Sequence, residues 1–335
     1  MGPRHEFGPS PPAGNGYFAG SCAMHLIHDN INFSAYMDEP PATHSVVPAS
    51  SMLDAVIDHF FKPDDAPKIQ MGWRKTHGDF EFRPGEVSLW AGINGHGKSQ
   101  VIGQVALDLM DQAQRVCISS LEMAPPKVMA RMARQAGGRP DITIPYLNAF
   151  HRWTDGRLWL YNHVGSTDPR TILAVIRYSV EKFQIQHFVV DNLAKVIEKE
   201  DDYNGQKAFV NSLCTVAKDT GVHIHLVLHV KKGESEHKVP GKFDIKGSGA
   251  IADLVDNIWI VWRNKAKEDE FREGNHEHAE DPDCLLKLEK QRHGETEGSY
   301  RLWFHPGSMQ YLESRLDRPR AYRIEPAITA AEVEF

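Results

Sequence analysis

The segment Glu86-Val-Ser-Leu-Trp-Ala91 runs directly into Gly92-Ile-Asn94-Gly95-His96-Gly97-Lys98-Ser99, and its reading decides the fold. An apolar run of strand length meets a glycine-rich loop. Lys98–Gln114 then sets Val101, Ile102, Val105, Ala106 and Leu109 on one side of a helix. The loop matches GxxxxGK followed by Ser or Thr, in the strand–loop–helix setting that the motif requires. Glycines let successive backbone N–H groups turn inward around phosphate oxygens, and the helix N-terminus adds a favourable dipole. Lys98 is placed to neutralise β- and γ-phosphates, and the Ser99 hydroxyl to ligate Mg²⁺. The expected ATP-binding residues are therefore Gly92, Asn94, Gly95, His96, Gly97, Lys98 and Ser99, with Mg²⁺ bound beside them. A glycine turn that happens to precede a lysine is the bland alternative. The correct flank on each side argues against it.

On both sides of this segment strands and helices alternate, from about Met71 to Glu313. Strands are expected at Arg115–Leu121, Arg157–Tyr161, His187–Val190, Val222–His229 and Asn257–Trp262. Helices are expected at Pro126–Ala136, Pro169–Phe183, Gln206–Thr220 and Ala250–Asp256. Cys284–Lys290 and Tyr300–Phe304 read as antiparallel strands at the C-terminal end. The fold class is α/β, a mostly parallel sheet flanked by helices, and ligands gather at the carboxyl ends of such strands.

Three strand ends carry candidate chemistry. His187-Phe-Val-Val190-Asp191 is an apolar strand closing on a carboxylate, suited to hold Mg²⁺ through water. The alternative is an aspartate capping a turn. Glu122 follows the strand Arg115–Leu121, the next along the chain after the phosphate loop, and is the candidate general base. Its alternative is a carboxylate favoured by the dipole of the next helix. His229 ends its strand, where it can touch a γ-phosphate; His223 and His225 share its parity but lie deeper and read as structural. A single strand histidine is by itself read as structural too.

The chain has 335 residues, 41% hydrophobic and 25% charged, enough for one large α/β domain or two small ones. A net charge of −7 argues against a general basic coat for nucleic acid, though not against a local basic track. No apolar run reaches the roughly 18 residues of a membrane span, and no secretory signal is evident. Cys22, Cys117, Cys214 and Cys284 are scattered, as expected of free thiols in the cytoplasm. His276 and His278 sit in an acidic loop and read as loop residues rather than metal ligands. Residues 1–48, rich in proline, are expected to be a disordered extension; 49–70 hold a linker helix (Met52–Phe61) and linker; 71–315 form the ATPase domain; 316–335 are a C-terminal tail.

Ser119-Ser-Leu-Glu122-Met123, Val189-Val-Asp191-Asn-Leu, His225-Leu-Val-Leu-His229, Asp244-Ile-Lys246-Gly247-Ser248-Gly249-Ala250 and Lys290-Gln-Arg292-His-Gly294-Glu-Thr296 together resemble the hexameric replicative helicases of DnaB type. The likeness is strongest to the helicase half of phage primase-helicases and of mitochondrial Twinkle. It covers roughly residues 70–313. The resemblance implies a RecA-like core and an ATP-driven ring, hexameric or heptameric, moving 5′ to 3′ on single-stranded DNA. It implies Glu122 as catalytic glutamate, Asp191 as the Walker B aspartate and His229 as phosphate sensor. Arg292, with Lys290 beside it, matches the arginine finger acting on a neighbouring subunit's nucleotide. Arg263 matches an arginine that stacks on the base, with Phe304 facing it. A solvated hairpin edge is the plain alternative for Lys290 and Arg292.

DNA contact is expected from the loop Val230-Lys231-Lys232-Gly233 to Lys238 and Lys242, and from Lys246, Gly247 and Ser248. Lysines and backbone N–H groups there suit sequence-independent phosphate tracking, although a charge run of this kind is commonly just solvated. Helix Met52–Phe61 resembles in position the linker helix that docks on the next subunit. Residues before 50 leave no room for a primase, so a fragment or a prophage-derived ATPase is expected, with a primase or other replisome protein as possible partner in a bacterial or phage-infected cell. The acidic insertion Lys267–Asp283 has no assigned role. Competing readings are a RecA/RadA-like recombination ATPase, which would form filaments, and a DNA-independent regulatory ATPase.

Overall fold

A computed structural model describes residues 25–37, 48–61, 67–197, 199, 201–230, 237–245 and 249–324. In chain order the strands are β1 (Leu26–His28), β2 (Val87–Gly92), β3 (Val116–Ser120), β4 (Leu158–Asn162), β5 (His187–Asp191), β6 (His223–His229), β7 (Asn257–Arg263), β8 (Cys284–Gln291), β9 (Gly298–His305) and β10 (Gln310–Leu312). The helices are α1 (Ser34–Met37), α2 (Leu53–Phe61), α3 (Lys98–Asp111), α4 (Pro125–Gly137), α5 (Ile144–Thr154), α6 (Pro169–Phe183), α7 (Tyr203–Thr220), α8 (Gly249–Leu254) and α9 (Lys265–Arg272).

All ten strands form one sheet in the order β1-β4-β3-β5-β6-β2-β7-β8-β9-β10. Pairings from β1 to β7 are parallel, and those from β7 to β10 antiparallel. β2, β3 and β5 are buried along their whole length, as parallel strands covered on both faces must be. One core contains the inward residues of α3, α4 and α5; the other contains those of α6 and α7. Local chemistry sets the helix ends. Asp168 caps α6, accepting from Arg170 N at 2.7 Å, and Asp202 caps α7, accepting from Gly205 N at 2.8 Å. Gly138 (φ +65°) and Gly221 (φ +75°) close α4 and α7 in the left-handed region.

Two outer boundaries differ from expectation. Residues 25–37 were grouped with a disordered extension, yet β1 extends the sheet beside β4, with Leu26 opposite Leu160. Ile27 and Phe33 are buried there. Two apolar anchors suffice to add an edge strand, and the surrounding prolines hide so short a signal. Residues 316–324, part of the expected C-terminal tail, run back across α3. Tyr322 N donates to Ala136 O at 3.0 Å, and Tyr322 and Ile324 are buried. Arg320 donates to Asp108 at 3.1 Å and pairs with Asp111. α5 and β10 were not anticipated. α5 buries only Ala149, Phe150 and Thr154, too few for a periodic stripe, and β10 is three residues long.

Where a helix is expected over Met52–Phe61, α2 forms over Leu53–Phe61. Its apolar side chains are unusually open, with Phe60 and Phe61 at 72% and 80% exposure.

Candidate functional site

The phosphate loop leaves the carboxyl end of β2 near the middle of the sheet. Gly95 (φ +79°) and Gly97 (φ +83°) hold backbone that only glycine adopts easily. A Cβ on Gly97 would stand 2.2 Å from the Tyr311 hydroxyl, and one on Gly92 2.3 Å from the Val261 carbonyl. The glycines of the motif are thus needed for packing as well as for the turn. Asn94 and Gly95 are exposed at the crest of the loop, whereas His96 is buried beneath it and accepts from Arg263 N at 3.1 Å.

Lys98 is 5% exposed. Its Nζ lies 2.9 Å from the Gly92 carbonyl, 2.9 Å from the Ile93 carbonyl and 3.0 Å from His229 Nδ1. Burial lowers its pKa to about 8, against the opposing pull of Asp191 and Glu122. Asn192 Nδ2 in turn lies 2.9 Å from His229 Nε2 and donates to Glu122 Oε1 at 2.8 Å. A continuous chain therefore runs Lys98–His229–Asn192–Glu122, across the carboxyl ends of β2, β6, β5 and β3.

Asp191 closes β5 and is 6% exposed. Burial raises its pKa, opposed first by the Ser99 hydrogen bond and then by Arg131, with Lys98 a smaller pull. The Ser99 hydroxyl and Asp191 carboxylate form an oxygen donor pair of the kind Mg²⁺ takes. Glu122 is exposed at the end of β3. β3 is the next strand along the chain after β2, but β5 and β6 stand between them in the sheet, and Asn192 at the end of β5 reaches Glu122. Asn192 and Arg131 are the residues that sequence reasoning missed. Asn192 followed the aspartate in a quoted segment without a role, and Arg131 lies mid-helix in α4, where nothing in the local pattern marks it.

Arg263 ends β7 and its guanidinium is ion-paired with Glu268. It lines a cavity of about 740 Å³ beside Gly95 and Gly97, together with Phe304 and Tyr311, whose rings are 5.3 Å apart. Lys290 and Arg292 sit at the other end of the sheet. Lys290 Nζ donates to the carbonyls of Ala252 (2.7 Å), Asp253 (3.1 Å) and Val255 (2.8 Å). Arg292 pairs with buried Asp256 at 2.7 Å and donates to Leu254 O at 3.1 Å. Asp256 also accepts from Val87 N at 2.9 Å, which fixes this pair to the amino end of β2. The six residues of β2 separate it from the phosphate loop by roughly 15–20 Å at ~3.3 Å per residue.

Of the expected DNA residues, Lys231, Lys232, Lys246, Gly247 and Ser248 lie outside the described residues. Val230 and Ile245 pair as an antiparallel bridge that ties the two ends of the basic loop together. Lys238 is exposed, Lys242 is 3.6 Å from Glu297, and Phe243 is 86% exposed.

His187, His223 and His225 are fully buried behind the site. His225 lies 3.2 Å from both Trp90 Nε1 and His187 Nδ1, and His223 is 2.9 Å from Ser88 Oγ and 2.7 Å from the Arg83 carbonyl. Burial pushes all three pKa values down, that of His223 to about 4. His278 pairs with Asp281 at 3.1 Å. Among the described residues, no helix is long and apolar enough to cross a membrane.

Residues 74–313 match the family model of the DnaB-like helicase C-terminal domain. The chain is 23% identical over 208 residues to a DNA helicase/primase of Enterobacteria phage T3, a match covering 55% of this chain and 36% of that protein. The chain thus spans about a third of that relative's length. In solved structures, it resembles the ATPase domain of G40P (TM-score 0.67, 16% identity, 80% of this chain and 99% of that one). It also resembles a DnaB-like replicative helicase studied with primase (TM-score 0.64, 16% identity, 80% of this chain and 67% of that one). At that identity the structural likeness speaks to the fold.

Proposed function

Because the chain belongs to the DnaB-like helicase C-terminal domain family, we propose that it is the motor of a replicative DNA helicase, hydrolysing ATP between subunits of a ring on single-stranded DNA. The observation that carries the reading is the chain Lys98–His229–Asn192–Glu122, which joins the phosphate loop to a carboxylate at the strand ends. In this reading Gly92 to Gly97 present backbone N–H groups to phosphates, and Lys98 leaves its two carbonyls to meet the β- and γ-phosphates. Ser99 and Asp191 hold Mg²⁺, which neutralises phosphate charge. Glu122 orients the attacking water and takes its proton. His229, between Lys98 and Asn192, senses whether the lysine has moved.

Arg292 and Lys290 stand at the opposite end of β2 from their own phosphate loop, so they serve as fingers for a second copy's nucleotide. That placement favours a homo-oligomer, a hexameric or heptameric ring, and gives transition-state charge stabilisation in trans. Lys238 and Lys242 face the DNA with the rest of their loop. Movement 5′ to 3′, action in the cytoplasm of a bacterial or phage-infected cell, and a primase or other replisome partner complete the proposal.

The test is ATP hydrolysis with and without single-stranded DNA, followed by unwinding of a forked duplex, with Lys98→Ala as control. Stimulated hydrolysis and unwinding, both lost in the control, are expected. Mixing Lys98→Ala with Arg292→Ala subunits should restore part of the activity, since some interfaces then hold both intact halves. Hydrolysis indifferent to DNA would leave a nucleotide-binding protein but reject the helicase.

A further inference from the structure

The insertion between β7 and β8 is a feature to which the motor gives no task. It does not hang loose. Asn264 caps α9, accepting from Lys267 N at 3.1 Å. Lys267 is 7% exposed and donates to Asp281 O at 2.6 Å, with Asp283 at 2.8 Å. Asp283 holds β9 through Phe304 N at 2.9 Å. Arg315 and Glu280 form an ion pair across the far rim. The insertion is thereby fastened to the strands that carry Phe304 and Tyr311.

It forms one side of a half-open cavity of about 740 Å³ that adjoins Gly95 and Gly97, a size typical of small-molecule sites. Phe271 lines it at 41% exposure, an aromatic ring on the wall rather than in the core. The ring rests on His276, with centroids 4.8 Å apart, and has Lys267 Nζ 5.9 Å from its centroid. Glu268, from the first turn of α9, binds the Arg263 guanidinium and is 3.6 Å from Lys265.

We infer that the insertion is a wall of the nucleobase pocket, with Phe271 as a stacking face and Glu268 as the residue that positions Arg263. This rests on the nucleotide reading of the phosphate loop. It adds residues to which neither the loop motif nor the family resemblance assigns a role. The cavity begins at those glycines, so a nucleotide whose phosphates lie on Gly95–Ser99 has room for its base there. A flat aromatic ring takes a base by its π-face and tolerates any base. A guanidinium fixed by a carboxylate offers a charged plane on which purines stack with unequal strength.

Calorimetric titration of the intact protein with ATP, GTP and inorganic triphosphate, each with Mg²⁺, tests this. Phe271→Ala should weaken ATP about tenfold, as loss of base–aromatic stacking does, and leave inorganic triphosphate within about twofold; Phe271→Tyr should restore ATP. Glu268→Gln should shift the ATP-to-GTP affinity ratio about threefold, the scale of an exposed cation–π contact, without changing triphosphate binding. Equal loss of ATP and triphosphate in Phe271→Ala, or loss of neither, would overturn the inference. So would an unchanged ATP-to-GTP ratio in Glu268→Gln. A wild-type protein that binds ATP no better than triphosphate would sink the base wall alone, whereas one that binds neither would sink the phosphate-loop reading beneath it.

Discussion

Replacing Lys98 by methionine keeps the length of the side chain and removes the ammonium. The fall of the Lys98 pKa from 10.5 to about 8 means that the folded site opposes the charge by about 3 kcal/mol at ~1.4 kcal/mol per pKa unit. Against this, Lys98→Met forfeits hydrogen bonds to the Gly92 and Ile93 carbonyls and to His229, each about 1 kcal/mol net. At pH 7 the two proteins should therefore be about equally stable. The pH dependence is the sharper readout. Between pH 8 and 10.5 the unfolded chain binds more protons at this lysine than the folded one, so wild-type stability rises with pH across that window. The gap between the two proteins should accordingly move by about 3 kcal/mol in favour of wild type from pH 7 to pH 10.5. Other lysines and tyrosines titrate alike in both proteins and cancel. Urea unfolding at four pH values measures it. A gap that stays constant with pH would refute the claim that an apo phosphate loop confines an ammonium poor in counter-charge.

Glu122→Gln should lower ATP turnover about 10²–10⁴-fold while nucleotide affinity, measured by titration, stays close to wild type; undiminished turnover would remove Glu122 from the chemistry. The three core histidines have folded pKa values below 6.5, so the unfolded chain takes up more protons in mild acid. Stability should fall as pH drops below 6.5, by up to about 4 kcal/mol per pH unit when all three contribute; a flat profile of denaturant midpoints from pH 7 to 5 would contradict this. Ending the chain at Arg315 removes buried Tyr322 and Ile324 and should cost about 3–6 kcal/mol at ~1.5–3 kcal/mol per buried side chain, read by thermal unfolding. A cost below about 1 kcal/mol would return that segment to the status of a free tail.

Most of the central sheet was legible because its signals are local. Gly92–Ser99 dictates a turn and a helix start whatever surrounds it, and β5 announces itself as four buried residues ending on Asp191. What escaped depends on distance along the chain. Asn192 matters because β3 and β6 lie on either side of β5, so that its amide reaches Glu122 and His229 at once; strand order is not written in any one segment. Tyr322 is buried because Asp108, 214 positions earlier, accepts from its hydroxyl at 2.5 Å. The same limit applies to Glu268, which reads as one more charge in an acidic insertion until the fold sets it against Arg263. The lysines of the loop after β6 show the converse, since a basic loop is plain in sequence and says little of where each side chain stands.

Lys290 and Arg292 grip the last carbonyls of α8, a helix of six residues, about 9 Å long at ~1.5 Å per residue. Its first residue, Gly249, follows directly on Lys246–Ser248. α8 is therefore the short link between the two: its amino end adjoins Lys246–Ser248 in the chain, and its carboxyl end is held by two cations.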